Sequence, residues 1–119
     1  MLLTETLGLA HPIIQAPMAG VSTPEMAVAV CEAGALGSIA VGASDAITAR
    51  AMIADVQNRT ARPFNVNLFV HAPATRDVAR ENAWLAELAP LFLEQGAQVP
   101  SELREIYRSF AEDDDMLAM

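Results

Sequence analysis

The sequence predicts an α/β fold built on parallel strands. Three short apolar runs, opening at His11, Ala35 and Pro63, alternate with two segments that carry helix-start signals. That order, strand–helix–strand–helix–strand, implies parallel strands joined by right-handed crossovers. A change of rhythm after His71-Ala72-Pro73 divides the chain into residues 1–74, holding three strands and two helices, and residues 75–119, read as a helical insertion.

The first strand lies in His11–Gly20, HPIIQAPMAG. Ile13 and Ile14 are β-branched and suit a buried strand, Pro17 stops sheet pairing, and Gly20 relieves crowding. A backbone turning at Ala-Pro-Met-Ala-Gly leaves polar groups free for a ligand, although an ordinary tight turn has the same composition. Ser22-Thr23-Pro24-Glu25 then starts a helix running to about Ala33, with a hydroxyl cap, proline in the first turn and an acidic residue at the positive end. Ala27, Val30 and Cys31 share a face, which makes Cys31 a packing residue rather than a nucleophile. Gly34 suits the left-handed position that closes a helix.

Ala35–Val41 is short, apolar and rich in small residues, as a strand buried on both faces is. Ser44-Asp45 caps a second helix whose apolar face is Ile47, Met52, Ile53 and Val56. Pro63–Val70 is the third strand, in which Asn65 and Asn67 share a face. Beyond it, a helix from about Thr75 presents Val78, Leu85, Leu88 and Phe92, with Pro90 as a kink or break. Ser101 is expected to cap a further amphipathic helix bearing Leu103, Ile106, Tyr107 and Phe110. Trp84 and Tyr107, at helical spacing, read as packing residues before they read as a stacking platform. Glu112–Asp115 reads as a solvated cap for a helix beginning near Met116.

Composition narrows the function. The 119 residues carry a net charge of −8, and all seven basic residues are scattered arginines, which disfavours nucleic acid as a partner. No run approaches the roughly 20 apolar residues of a membrane span, and the opening lacks the basic start of a secretory signal, so the expected location is cytoplasmic. A single cysteine precludes an internal disulfide, and His11, His71 and Cys31 show no metal-ligand spacing, so no metal is expected.

HPIIQAPMAG, the helix start STPEMA, EAGALGSI at residues 32–39 and RPFNVNLFVH at residues 62–71 resemble, in order and spacing, the nitronate monooxygenases, formerly called 2-nitropropane dioxygenases. The resemblance is close over roughly residues 10–72. It implies the N-terminal part of a TIM (β/α)8 barrel with non-covalent FMN, in an oxidoreductase that converts alkyl nitronates with molecular oxygen to carbonyl compounds and nitrite. Barrel ligands sit at the carboxyl ends of strands, where Ala16–Ala19 and the end of the third strand fall. By resemblance, Ala16, Pro17 and Met18 lie against the isoalloxazine ring with Ala19 in or beside that shell. Asn67 matches the asparagine of the family's third-strand motif that hydrogen-bonds the flavin. His71 is a candidate for lining the substrate pocket. The family's catalytic histidine belongs to a His-Phe-Gly-type motif after a later strand; that motif does not occur here, so no catalytic residue is assigned and one is expected only beyond Met119.

The flavin reading requires the first and third strands to be neighbours whose carboxyl ends share one pocket. A closed barrel takes about 250 residues. Three strands would leave an open edge, so this stretch is expected to be inactive alone, not to retain FMN, and to be able to self-associate through that edge. The competing functions are a flavin-dependent enoyl reductase fragment and a non-catalytic interaction module.

Overall fold

The computed structural model describes residues 2–118; Met1 and Met119 lie outside the described residues. Its elements are α1 (Leu3–Leu7), α2 (Pro24–Glu32), β1 (Gly37–Ala40), α3 (Ala46–Arg59), β2 (Phe64–Asn67), α4 (Val78–Glu94), a 3-10 turn (Phe110–Glu112) and α5 (Asp114–Leu117). The chain forms two compact units, Met1–His71 with Tyr107–Met119, and Ala72–Ile106.

In the first unit β1 and β2 pair in parallel, with Ser38 opposite Asn65 and Ala40 opposite Asn67. Alternation then sorts the side chains. Ile39, Val41, Phe64, Val66 and Leu68 pack with Ala27, Val28, Ala49 and Val56 of α2 and α3 to form the core. Ser38, Ala40, Asn65 and Asn67 occupy the opposite face. Gly37 makes the helix contact possible, because a Cβ there would stand 2.1 Å from the Ala27 carbonyl oxygen.

The caps follow the residue chemistry. Thr23 accepts from the Met26 N–H and Asp45 from the Thr48 N–H, at 3.2 and 2.8 Å. Gly34 is left-handed (φ 88°) just after α2. Cys31 is fully buried and donates weakly to the Pro63 carbonyl, 3.4 Å away, so it is a packing residue. Asp113, from the acidic run, caps α5 through the Met116 N–H.

Several expectations are corrected. Of the three strands, only β1 and β2 are continuous; the first is a single parallel bridge, Ile14 to Leu36, bounded by Leu36 N–H to Ile13 O (3.0 Å) and Gln15 N–H to Leu36 O (2.9 Å). Pairing stops there because Pro17, two residues on, has no N–H, and Ile13 and Ile14 are exposed rather than buried. The first and third segments are also not neighbours, since β1 lies between them; what the flavin reading keeps is that all three run in parallel, so their carboxyl ends fall at one end of the layer.

Ile47 is 82% exposed. The face of α3 that packs is Ala49, Met52, Ile53 and Val56, and Ile47, two residues before Ala49, projects away from it.

The amphipathic helix expected from Ser101 does not form: residues 101–109 are irregular, and Phe110 opens the 3-10 turn. A helix of about ten residues is marginal without a surface for its apolar face, and Ile106 is 76% exposed. Tyr107–Phe110 instead runs beside the end of β2: the Phe110 N–H donates to Phe69 O, the Ser109 hydroxyl to His71 O, and the Tyr107 ring meets Phe69 edge-on at 5.1 Å. Tyr107 and Trp84 are about half exposed, not core. α1, closed by left-handed Gly8, is an element that the sequence did not predict.

In the second unit α4 continues through Pro90, where the proline had suggested a kink or a break, and buries only Leu85 fully. An open groove of ≈ 640 Å³ runs along it, lined by Trp84, Arg80, Glu87 and Leu103 among others.

Candidate functional site

The site begins where the first segment leaves the sheet. All three segments run in parallel, so Ala16, Val41 and Leu68 emerge at the same end of the layer. Ala16–Ala19 is not a loose loop. The Ser22 hydroxyl accepts from the Met18 N–H at 2.8 Å and donates to the Ala16 carbonyl at 3.0 Å, while the Val21 and Ser22 N–H groups donate to Met18 O. Gly20, at φ 74°, supplies the left-handed residue that this reversal needs. Ser22 is buried although Thr23, next to it, is exposed. Thr23 caps the helix and leaves Ser22 to close the turn.

The turn keeps polar main chain in reserve. Among the described residues, the N–H groups of Ala16 and Ala19 and the carbonyls of Gln15 and Pro17 make no hydrogen bond within the protein. Ala16 and Ala19 carry only methyl groups, so a flat ligand can approach that backbone closely. Pro17 is half-buried and Met18 is 44% exposed.

Asn67 closes β2. Its main-chain carbonyl accepts from the Val41 N–H, whereas its half-buried carboxamide has no protein partner among the described residues. Asn65, two residues earlier, is engaged: its amide donates to the Ser38 hydroxyl at 3.3 Å. The two asparagines therefore differ in availability although they share a face. His71 is exposed, and its carbonyl holds the Ser109 hydroxyl at 2.7 Å.

Gln15, which the sequence did not single out, and Ser22, read there only as part of the helix start, organise this end of the layer. The Gln15 carboxamide donates to the Ser38 carbonyl and accepts from the Ser38 N–H, both at 3.2 Å, and Ser22 fixes the turn. Among the described residues no cluster of three or more His, Cys, Asp or Glu side chains could hold a metal ion, and no helix is long and apolar enough to cross a membrane.

A parallel β/α layer with free main-chain groups just past its strand ends is the site architecture of α/β proteins that bind small ligands. A family model for nitronate monooxygenase matches residues 1–108, and the chain belongs to that family. A nitronate monooxygenase of Pseudomonas aeruginosa is 56% identical over 116 residues, covering 98% of this chain and 33% of the relative. One from Paraburkholderia phytofirmans is 54% identical over 113 residues, covering 95% and 31%.

Among solved structures, a nitroalkane oxidase from Streptomyces ansochromogenes superimposes with a TM-score of 0.66 at 38% identity, over 81% of this chain and 26% of its own. FabK from Thermotoga maritima does so with a TM-score of 0.55 at 34% identity, over 82% and 27%. The chain spans about a third of the length of the curated relatives it matches.

Proposed function

We propose that this chain is the N-terminal part of an FMN-dependent nitronate monooxygenase with a TIM-barrel fold, supplying one wall of the flavin site. The observation that carries the reading is the Ser22-closed turn, whose Ala16 and Ala19 N–H groups and Gln15 and Pro17 carbonyls have no partner among the described residues. Ala16 and Ala19 are exposed and Gln15 and Pro17 half-buried, so these groups are open to a ligand; a flavin edge offers both donors and acceptors, and any group that a bound ring took out of water without a match would cost about 1–3 kcal/mol. Ala16, Pro17 and Met18 would face the ring with Ala19 beside them, and the unpartnered Asn67 carboxamide would hydrogen-bond its polar edge. His71 would line the substrate side.

FMN, when bound, would supply the redox chemistry that couples an alkyl nitronate to oxygen. The residues of this chain bind and orient it; none of them is assigned proton transfer. On this reading the substrates are an alkyl nitronate and oxygen, in the cytoplasm, and this stretch alone does not hold FMN tightly.

A chimera joining this chain to the remaining two-thirds of the Pseudomonas aeruginosa relative tests the reading. Oxygen uptake and nitrite release with an alkyl nitronate are expected. NADH consumption with an enoyl thioester and no nitronate turnover would identify the rival enoyl reductase instead. Flavin absorbance copurifying with the 119-residue chain alone would refute the expected loss of cofactor.

A further inference from the structure

We infer that Gln15 is a positioning residue whose side chain makes the sheet rung that Pro17 cannot make, ending strand pairing at residue 15 and releasing Ala16–Ala19 as a turn. In a parallel ladder, one residue bonds to the two residues that flank its partner. Leu36 does so with Ile13 O and the Gln15 N–H. The next rung would join Ser38 to Gln15 O and to the N–H of residue 17, which is proline and has none.

Ser38 is fully buried, so its N–H and carbonyl need partners from within the protein. The Gln15 carboxamide carries the same donor and acceptor as a peptide group. Its Oε1 accepts from the Ser38 N–H and its Nε2 donates to the Ser38 carbonyl, each at 3.2 Å. The rung is complete without main chain from residues 15–17. The Gln15 carbonyl has no partner among the described residues, and the backbone can turn at Ala16 toward Ser22.

The use of the turn as a flavin surface rests on the function proposed above, whereas the rung does not. The test therefore needs no cofactor. Amide exchange would be followed by NMR in the 119-residue chain, with the Val41 amide, bonded to Asn67 O at 3.1 Å, as an internal reference.

Gln15→Leu is expected to speed Ser38 exchange about tenfold and to loosen the Met18 amide, with Val41 changed by less than about twofold. Adding Pro17→Ala should restore Ser38 protection, because main chain can then complete the rung, but not Met18 protection, because the turn is drawn into the strand. Unchanged Ser38 exchange in Gln15→Leu, or equal acceleration at Ser38 and Val41, would overturn the inference. Pro17→Ala alone is a second measurement if Gln15→Leu does not fold. Competition from the new N–H should loosen Met18 while Ser38 stays protected, and a Met18 amide as slow as in the parent would also overturn the inference.

Discussion

Ser22 and Thr23 are adjacent hydroxyl residues with separate tasks. Thr23 is exposed and caps α2; Ser22 is buried and joins Met18 to Ala16. Ser22→Ala leaves the Met18 N–H to water, since Met18 is exposed, and should cost about 0.5–1.5 kcal/mol in urea unfolding. The glycines sort in the same way. At Gly37 a methyl group would strike the Ala27 carbonyl oxygen and the Cys31 sulfur, at 2.1 and 2.7 Å, and backbone cannot yield cheaply. Gly37→Ala should therefore cost about 3 kcal/mol or more. Gly96→Ala meets nothing within 4 Å and carries only the strain of φ +66°, about 1–2 kcal/mol. Equal losses for the two glycine variants in denaturant melts would contradict the packing of β1 on α2.

At the scale of elements, the features readable in the sequence were those set by local chemistry. The Thr23 and Asp45 caps, the Gly34 terminus and the apolar runs of β1 and β2 follow from a few neighbouring residues. Pro17 as the stop of the first strand was legible too, but the contact that satisfies Ser38 in its place was not, because Gln15 makes it across 23 residues of sequence. Its signal was present as a glutamine two residues before a proline. The segment after Ser101 misled for the opposite reason: its helical spacing is real, but Tyr107, Ser109 and Phe110 find partners on Phe69 and His71 that an extended backbone serves better.

Asp45 makes the cap of α3 dependent on pH. The Thr48 backbone N–H, then its hydroxyl, hold this exposed carboxyl below the usual carboxylate range. Its folded pKa thus lies below its unfolded one, so the cap's contribution is present above the ordinary carboxylate pKa and is lost as pH falls through the lowered value. Asp45→Asn keeps a cap but should flatten the acid limb of a plot of Tm against pH. An unchanged slope would show that Asp45 does not titrate with folding.

At the scale of the molecule, the family and the parallel β/α order were legible in four short motifs, while continuous pairing along the first segment was not. That segment's outer side has no sheet partner among the described residues, and Ile13, Ile14, Met18 and Val21 stand from 44% to 58% exposed along it. Unpaired strand groups beside exposed apolar side chains form a template for another chain. The relatives it matches are about three times as long, and on the proposed reading that further length would supply the covering. In the 119-residue chain by itself, the same surface should drive concentration-dependent association in sedimentation velocity. Ile13→Lys, at a position already 58% exposed, should reduce that association without unfolding the core, because a charge on a strand edge opposes pairing with a second copy. A single 12.7 kDa species at every concentration would show that this edge needs no cover.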